Sequence, residues 1–445
     1  MPPTPGDSRA AANAAAVLRT VLSHGPLARS DIPQLCGLSP AAVSRQTTAL
    51  LRAGLLCERP GPEQPPAATG AGAGSRTGAR SATGTTPGYG SGSGTTPGPG
   101  TAPGSGTAPG SGTAPGSGTT PGPGRPRIPL DLHTGPLGGP LAAGLHIGVP
   151  SSTFSLVDLR GRVLARRAFS HAGISPGRLP AAIAAELGRF LRESSPAGRP
   201  LLGLGAALGG WVRPSDGTVV RHDALGWREL PLGAELSDRL GLPVSVDNHA
   251  RAVAHAEILF GRPEARSSVL HLFIGNVVDA AFGIEGTVHQ GPGAAAGDVA
   301  HLPVPGSPAP CACGRTGCLQ ASASDGVLGA EAVRRGIVPE PSVHLLVDAA
   351  ATGDPRADRL LRERARTVGR AAALLLDVFN PAVMVVAELS SILHDGYLDE
   401  IRGAAGDQDR YGRRIVAPHA GPAVLPVASA TVLLAPLFRD PSRLT

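Results

Sequence analysis

The 445-residue chain contains no lysine, so all 40 of its Lys and Arg residues are arginines. Aromatic residues make up only 3% of the chain, which disfavours single-strand nucleic-acid binding through stacking of bases on aromatic rings. The formal net charge is +6, so the composition is compatible with an anionic partner without requiring one. Arginine suits such a partner because its planar guanidinium contacts phosphates and base edges with two donors at once.

Features of secreted and membrane proteins are also missing. We expect no secretory signal, because no positively charged segment followed by an apolar one opens the chain. The most apolar stretch, 371–393, is interrupted by Asp377, Asn380, Pro381 and Glu388. Such interruptions favour a buried helix followed by a strand over a membrane span. The sequence therefore predicts a cytoplasmic protein that does not contact a membrane.

Cysteine is scarce, yet three of the five cysteines lie within eight residues, at Cys311, Cys313 and Cys318. Together with His301 they supply three thiolates and one imidazole, a complete tetrahedral ligand set for structural zinc. Because no ligand position remains open for water, we expect the ion to fold a loop and not to catalyse. The alternative is three incidental thiols and a core histidine. Cys36 and Cys57 are interpreted as small core residues.

Composition divides the chain into three regions. Residues 10–59 have a helical period of apolar residues, whereas 60–124 are rich in Gly, Pro, Ser and Thr and contain tandem copies of GSGTAP. The second region has almost no apolar side chains to bury, so we predict that it is disordered. From about residue 125 short apolar runs alternate with helical patterns, as in an α/β domain.

The first region has the pattern of a winged helix-turn-helix. Helical spacing over 12–22 and 30–36 is followed by Ser39, a helix N-cap residue, and by Pro40 at the first helical position. Gly54 ends this third helix before a short strand. Three helices and a strand in this order are typical of a DNA-binding domain. The alternative is a helical adaptor that binds another protein.

The outward face of the third helix is the predicted DNA-reading surface. Small residues there let a helix enter the major groove, and an arginine reaches guanine or phosphate. The residues assigned to DNA contact on this helix are Ser39, Ala41, Ser44, Arg45 and Thr48.

A wing requires a second strand, and the next candidate is residues 125–132, beyond the repeat tract. We interpret the tract as an insertion at the tip of the wing hairpin, because loop-closure entropy grows only logarithmically with length. Arg125 and Arg127 would then lie near phosphates or the minor groove. The alternative is an ordinary arginine pair in a linker.

The segment 297–301, followed by the cysteine run CACGRTGCLQ, resembles the signature of the ROK family of repressors, open reading frames and sugar kinases. Residues 13–58 resemble the winged helix of the family's xylose- and N-acetylglucosamine-repressor type. Segments 226–232 and 242–250 resemble the stretch that leads into the kinase catalytic motif, and the turn at 379–381 also fits. The resemblance covers nearly the whole chain except the repeat tract.

The resemblance implies a two-lobed actin-like ATPase fold over 137–445, preceded by the α+β winged helix-turn-helix domain. It places a sugar in the cleft between the lobes and a zinc loop, 297–320, beside the sugar. Residues implied to contact an effector are Asn248, His249, Asp298, His301 and Gln320. Asp298 and Gln320 each stand where the family has glutamate, so the grip on sugar hydroxyls is weakened. The effector is then a sugar or sugar phosphate, another small polar ligand, or absent.

Four departures from the family pattern concern phosphate transfer. The kinases use an aspartate as general base where this chain has His249. The first phosphate loop, 146–152, lacks the expected aspartate and glycine pair, and the second, 274–279, carries bulky residues. Residues 385–389 replace a further glycine pair near the nucleotide base. We therefore predict that the chain is not an enzyme.

The sequence thus predicts a DNA-binding transcriptional regulator, a repressor of a transport or catabolic operon, with a kinase-derived effector domain. Two-fold operators imply a homodimer or homotetramer. One alternative is a sugar kinase with an unusual site and an accessory DNA-binding domain. Another is a regulator controlled by protein contacts, with a vestigial cleft.

Overall fold

The computed structural model describes residues 5–59, 128–135, 138–406 and 411–444. The described parts of Met1–Arg59 and Ile128–Thr445 form one compact unit. The repeat tract at 60–124, together with Arg125 and Arg127, lies outside the described residues.

The N-terminal module contains three helices and a small antiparallel sheet. Its elements are α1 (Pro5–His24), β1 (Leu27–Ala28), α2 (Ile32–Cys36), α3 (Pro40–Arg52), β2 (Leu56–Glu58) and β3 (Pro129–Leu132). β3 lies between β1 and β2 and pairs antiparallel with both. The segment that joins β2 to β3 therefore connects two strands of one hairpin and contains the repeat tract.

Local signals set the turn before α3. Gly37 ends α2 with a left-handed φ of 68°, a conformation that glycine adopts without steric cost. Ser39 Oγ then accepts a hydrogen bond from the backbone N–H of Ala42 at 3.3 Å, and Pro40 occupies the first helical position. This cap satisfies one of the free N–H groups at the start of α3.

The first lobe is a five-stranded sheet of order β11-β7-β4-β5-β6, beside a small sheet of order β10-β9-β8. α4 and α5 pack on the large sheet in one apolar cluster. The elements are β4 (Leu141–Ile147), β5 (Ser151–Asp158), β6 (Val163–Ser170), α4 (Leu179–Ser194), β7 (Leu201–Leu208), β8 (Trp211–Arg213), β9 (Thr218–His222), β10 (Trp227–Leu230), α5 (Leu232–Leu240) and β11 (Val244–Asn248).

The second lobe is a five-stranded sheet of order β14-β13-β12-β15-β16. The elements are α6 (His249–Phe260), β12 (Ser268–Ile274), β13 (Val278–Ile284), β14 (Thr287–Val288), α7 (Leu319–Ala323), α8 (Asp325–Arg334), α9 (Val343–Ala351), α10 (Pro355–Phe379), β15 (Val383–Glu388), α11 (Leu389–Leu393), α12 (Asp395–Ala404), β16 (Ile415–Val416) and α13 (Val424–Arg439). Two such sheets, each flanked by helices, confirm the predicted two-lobed actin-like fold.

α13 returns to the first lobe and packs on β4 and β7. Two glycines allow the close approach. A Cβ at Gly144 would lie 2.7 Å from Ser429 Oγ, and one at Gly205 would lie 2.1 Å from Ser429 O. Because real Cβ atoms do not come this near to other heavy atoms, the backbone of α13 reaches the sheet only over glycine.

The winged helix and the first lobe share one apolar core. Val17 and Leu18 of α1 are fully buried in the same cluster as Leu434 and Phe438 of α13. Polar contacts reinforce it, since the buried Asp131 of β3 pairs with Arg59 at 2.7 Å and with Arg160 of the first lobe. The N-terminal module is thus packed against the lobe through side chains as well as tethered to it by the chain.

Among the described residues, one helical segment, Gly421–Arg439, is long and apolar enough to cross a membrane, with a mean hydropathy of 1.7. Two thirds of it is buried within the fold (67%). It contains α13, which contacts β4, β7 and α6, so its apolar side chains are those of a core helix.

Candidate effector cleft, metal cluster and DNA-binding face

α3 presents the predicted DNA-reading residues on its outer side. Ala41, Ser44 and Arg45 are exposed, and Thr48 is half-buried, with its hydroxyl donating to Ser44 O at 2.9 Å. Ser39 is used as the helix cap. Buried residues on the other side, including Val43 and Leu50, fix the helix on the module core.

The arginines of the N-terminal module differ in whether they already pair with an acidic side chain. Arg59 is paired with Asp131, and Arg29 lies 3.6 Å from Glu58. Within the described ranges Arg45 forms no ion pair, so its guanidinium is free to meet an anion.

The cysteine loop brings four ligand atoms together. One ligand atom from each of His301, Cys311, Cys313 and Cys318 lies within 4.8 Å of the others, with Cys311 Sγ 3.6 Å from His301 Nδ1 and Cys313 Sγ 3.6 Å from Cys318 Sγ. A tetrahedral ion with metal–sulfur distances of about 2.3 Å places its ligands roughly 3.8 Å apart. The cluster therefore has the size and donor set to hold a metal ion.

Arg315 lowers the pKa of one thiol of the cluster, Cys313. Arg315 Nε donates to Cys313 Sγ at 3.5 Å and, with a backbone hydrogen bond, lowers the pKa of that thiol to about 6. Arg315 thus favours the thiolate form of Cys313, which is the form that binds metals.

A cleft of about 510 Å³ opens between the lobes beside this cluster. Four of the five residues assigned to effector contact line it: Asn248, Asp298, His301 and Gln320. His249 does not line it, and its ring instead lines a neighbouring cavity.

Asn248 joins the two walls of the cleft. Its Oδ1 accepts from the N–H of Ala250 at 2.8 Å and so caps α6. Its Nδ2 donates to Gly210 O at 2.9 Å and to Asp279 Oδ2 at 3.0 Å. The amide is therefore held in one orientation by both lobes.

Asp279 is a cleft carboxylate to which the sequence analysis assigned no site role. Its Oδ2 also accepts from Gly210 N at 3.0 Å, and His249 Nε2 lies 3.0 Å away, outside hydrogen-bond geometry. Burial raises the pKa of Asp279, but His249 and the hydrogen bonds from Gly210 and Asn248 outweigh burial and hold that pKa below its ordinary value. A charged, oriented carboxylate thus faces the cleft.

Arg251 also holds the cleft walls together, and it was not among the residues predicted for the site. It is 2% exposed; its Nε donates to Asp247 at 2.7 Å, and its terminal nitrogens donate to the carbonyls of Val212 and Ala294. The sequence signal was its spacing, since Asp247 and Arg251 are four residues apart at the start of a helix.

Gln320 lines the cleft, but its amide serves the loop between β12 and β13. Its Oε1 accepts from Val278 N at 2.9 Å, and its Nε2 donates to Asn276 O at 2.7 Å. A glutamate at this position could not donate to that carbonyl. The neutral amide of Gln320 can therefore both accept from and donate to this loop. Asp298 is exposed and has greater freedom to contact an effector.

Side chains occupy two regions that the resemblance assigns to nucleotide binding. A Cβ at Gly209 would lie 2.8 Å from Val277 Cβ, so Val277, within the loop 274–279, packs against the backbone that follows β7. Glu388, which is fully buried, caps α11 by accepting from the N–H groups of Ser390 and Ser391. It also lies 3.0 Å from Arg364. A helix N-terminus that could bind phosphate is thereby occupied by the chain's own carboxylate.

His249, in the position of the kinase general base, stacks instead of facing the cleft. Its ring centroid lies 3.9 Å from that of Phe273 and 5.9 Å from that of His146. The ring is 3% exposed and belongs to an aromatic stack between the lobes.

Comparison with known proteins places this architecture in a family. The ROK family profile matches residues 142–408. A transcriptional regulator of Mycobacterium tuberculosis is 31% identical over 418 residues, covering 91% of this chain and 80% of that protein. A xylose repressor of Caldicellulosiruptor bescii is 28% identical and covers 45% of this chain and 54% of its own length.

Solved structures agree. The crystal structure of a ROK family transcriptional regulator, a homologue of the E. coli MLC protein, covers 97% of this chain and all of its own (100%), with a TM-score of 0.65 and 22% identity, and at that identity it supports the fold alone. A ROK glucokinase from Streptomyces griseus, solved with glucose and AMPPNP, is 26% identical with a TM-score of 0.58, and it covers 65% of this chain and 98% of its own. With the family profile matched across both lobes, this chain belongs to the ROK family.

Proposed function

We propose that this chain is a cytoplasmic, DNA-binding transcriptional regulator that represses a transport or catabolic operon and does not transfer phosphate. The observation that carries the proposal is a winged helix packed on a ROK domain, in which His249, at the general-base position, is buried against Phe273. Similarity to a transcriptional regulator over 91% of the chain supports the same conclusion. The protein would act as a homodimer or homotetramer on a two-fold operator.

The cleft would hold a sugar or sugar-phosphate effector. Its fixed amide on Asn248, charged carboxylate on Asp279 and exposed carboxylate on Asp298 are groups that bind sugar hydroxyls. An effector that bridges the lobes would favour one degree of closure and so change the DNA affinity of the winged helix.

The cysteine cluster would hold one structural zinc ion, because a Cys₃His set leaves no ligand position for substrate. Bound zinc would cross-link the loop beside the cleft. Metal analysis of protein purified without chelator should give about one zinc per chain. Cys318→Ser should lose most of the metal, whereas Cys57→Ser, a half-buried thiol outside the cluster, should keep it. Metal near zero in the parent protein would exclude the site.

The deciding experiment is selection of genomic fragments by the purified, metal-loaded protein at physiological salt. We expect discrete, dyad-symmetric sites near transport or catabolic genes. Arg45→Ala should weaken binding and relax specificity at one or two base pairs, by about 1–3 kcal/mol. Arg189→Ala, which removes an exposed arginine from α4, is the matched control.

Recovery of only salt-sensitive, sequence-independent fragments would reject the regulator. The alternative, a sugar kinase with an accessory DNA-binding domain, would then show ATP turnover with a hexose that His249→Ala abolishes.

A further inference from the structure

A second cavity, of about 430 Å³, lies between the lobes on the side of the former phosphate loops. Its walls come from the β4–β5 turn, the β12–β13 loop, α9, α11 and the start of α13. Most of the lining is apolar and includes Val149, Val277, Val343, Ile392 and Leu425. The volume is within the usual range of small-molecule sites.

The cavity is unsuited to anions. No arginine is among the described residues that line it, although the chain has 40 basic residues. Its carboxylate, Asp325, lies 2.6 Å from Arg364 and is thus neutralised. The N-terminus of α11 is already capped by Glu388. A nucleotide triphosphate would therefore enter without an arginine to balance its charge.

Two ring nitrogens of the lining, His146 Nε2 and His249 Nε2, form no hydrogen bond among the described residues, but His249 Nε2 lies 3.0 Å from the carboxylate of Asp279. His146 is 7% exposed, and among the described residues its Nε2 forms no hydrogen bond. Burial, with the neighbouring His249 and His171, lowers the pKa of His146 to about 3, so the ring is neutral. A buried, unsatisfied imidazole nitrogen costs free energy unless a ligand or water meets it.

We propose that this cavity binds an uncharged, largely apolar small molecule of one or two rings, whose single polar group hydrogen-bonds to His146. The cavity adjoins the effector cleft, with which it shares His222, Asn276 and Val277, but His146, Val343, Ile392 and Leu425 line this cavity and not the cleft.

The position of the cavity gives its ligand a route to the DNA-binding module. Val424 and Leu425, at the start of α13, line the cavity. Leu434 and Phe438, at the end of the same helix, pack with α1. The helix of 16 residues spans about 24 Å, so it connects the cavity to the core of the N-terminal module.

The test uses two fluorescent probes of matched shape, 2-naphthol and 2-methylnaphthalene, titrated into the full chain. We expect saturable binding of one probe per chain and, because only 2-naphthol has a hydroxyl for His146, an affinity up to about tenfold higher for 2-naphthol. MgATP should not compete with either probe. Absence of saturable 2-naphthol binding, or its displacement by MgATP, would overturn the proposal.

Two variants locate the probe. Leu393→Glu places a charge at the cavity rim, where Leu393 is 42% exposed, and should reduce binding at least tenfold. Leu164→Glu, at a residue 46% exposed on β6, should not. His146→Leu should abolish the preference for 2-naphthol while retaining 2-methylnaphthalene binding. Equal binding by both glutamate variants, or a preference that persists in His146→Leu, would show that the probe binds elsewhere.

Discussion

A single carboxylate, Asp279, connects the two lobes at the point where the family's kinases use a different aspartate. The chain has a histidine at the general-base position, and that histidine now lies beside Asp279. The negative charge in the cleft is thus retained but comes from β13 and not from the start of α6. A group in this position can accept a hydrogen bond from an effector hydroxyl, while its hydrogen bonds to Gly210 and Asn248 fix the cleft walls.

Asp279→Asn should therefore destabilise the protein by about 1 kcal/mol, because Gly210 N and Asn248 Nδ2 both donate to Oδ2 and a neutral amide oxygen is a weaker acceptor than a carboxylate oxygen. The measurement is urea denaturation of the full chain. Asp298→Asn is the matched control, since Asp298 lines the same cleft but is exposed. If the two variants lose equal stability, Asp279 does not connect the lobes as described.

Buried histidines predict the response to acid. Burial lowers the pKa of His146 and His271 to about 3 and that of His222 to about 4. These rings bind protons in the unfolded chain, but not in the folded one, between about pH 6.5 and 4, so stability falls as the pH falls through that window. Burial also lowers the pKa of His255 to about 4. Glu257, whose pKa burial raises to about 7, has the opposite effect there, but it is one group against four.

We expect a net loss on the order of 3 kcal/mol per pH unit between pH 6.5 and 5. His146→Leu should reduce this slope by the contribution of about one proton. His289→Gln, at an exposed histidine, should leave the slope unchanged. Denaturation midpoints at the two pH values measure the slope, and comparison with the parent cancels the shared contribution of the metal loop. An unchanged slope in His146→Leu would mean that His146 is protonated in the folded protein.

At the scale of elements, local signals predicted much of the structure because they act within a few residues. Ser39 and Pro40 mark the start of α3, and the interrupted apolar stretch at 371–393 corresponds to the end of α10 and to β15. The orientation of His249 and the use of Gln320 by a neighbouring loop were not predictable. Both depend on which residues the fold brings close, and their spacing in sequence gives no sign of it.

The close approach of α13 to β7 can be tested by a substitution at Gly205. In Gly205→Ala the new Cβ would lie 2.1 Å from Ser429 O, so the helix must move off the sheet. We expect a loss of about 1–3 kcal/mol or more, measured by urea denaturation. Gly177→Ala is the matched control, because a Cβ there meets nothing within 4 Å. A variant at Gly205 as stable as this control would show that α13 does not approach β7 so closely.

Across the whole molecule, α13 relates three features that lie apart in the sequence. Its start lines the second cavity, its middle crosses the first-lobe sheet, and its end shares a core with α1. A DNA-binding domain held only by a flexible linker would not sense the state of the lobes. Here the shared core and the Asp131–Arg160 pair make the winged helix mechanically part of the ROK domain.

The winged helix and the first lobe should consequently unfold together, in one cooperative transition. Phe438, 1% exposed, packs edge-on against Phe260 at 6.5 Å within that core, so Phe438→Ala should cost about 3–5 kcal/mol. In Phe438→Ala, hydrogen exchange should show that the backbone amides of α1 and those of β4 lose protection to the same extent. Phe379→Ala, at a ring 40% exposed, should leave both protected. If α1 alone loses protection in Phe438→Ala, the module unfolds independently, and coupling through α13 is too weak to carry a signal from either cavity to DNA.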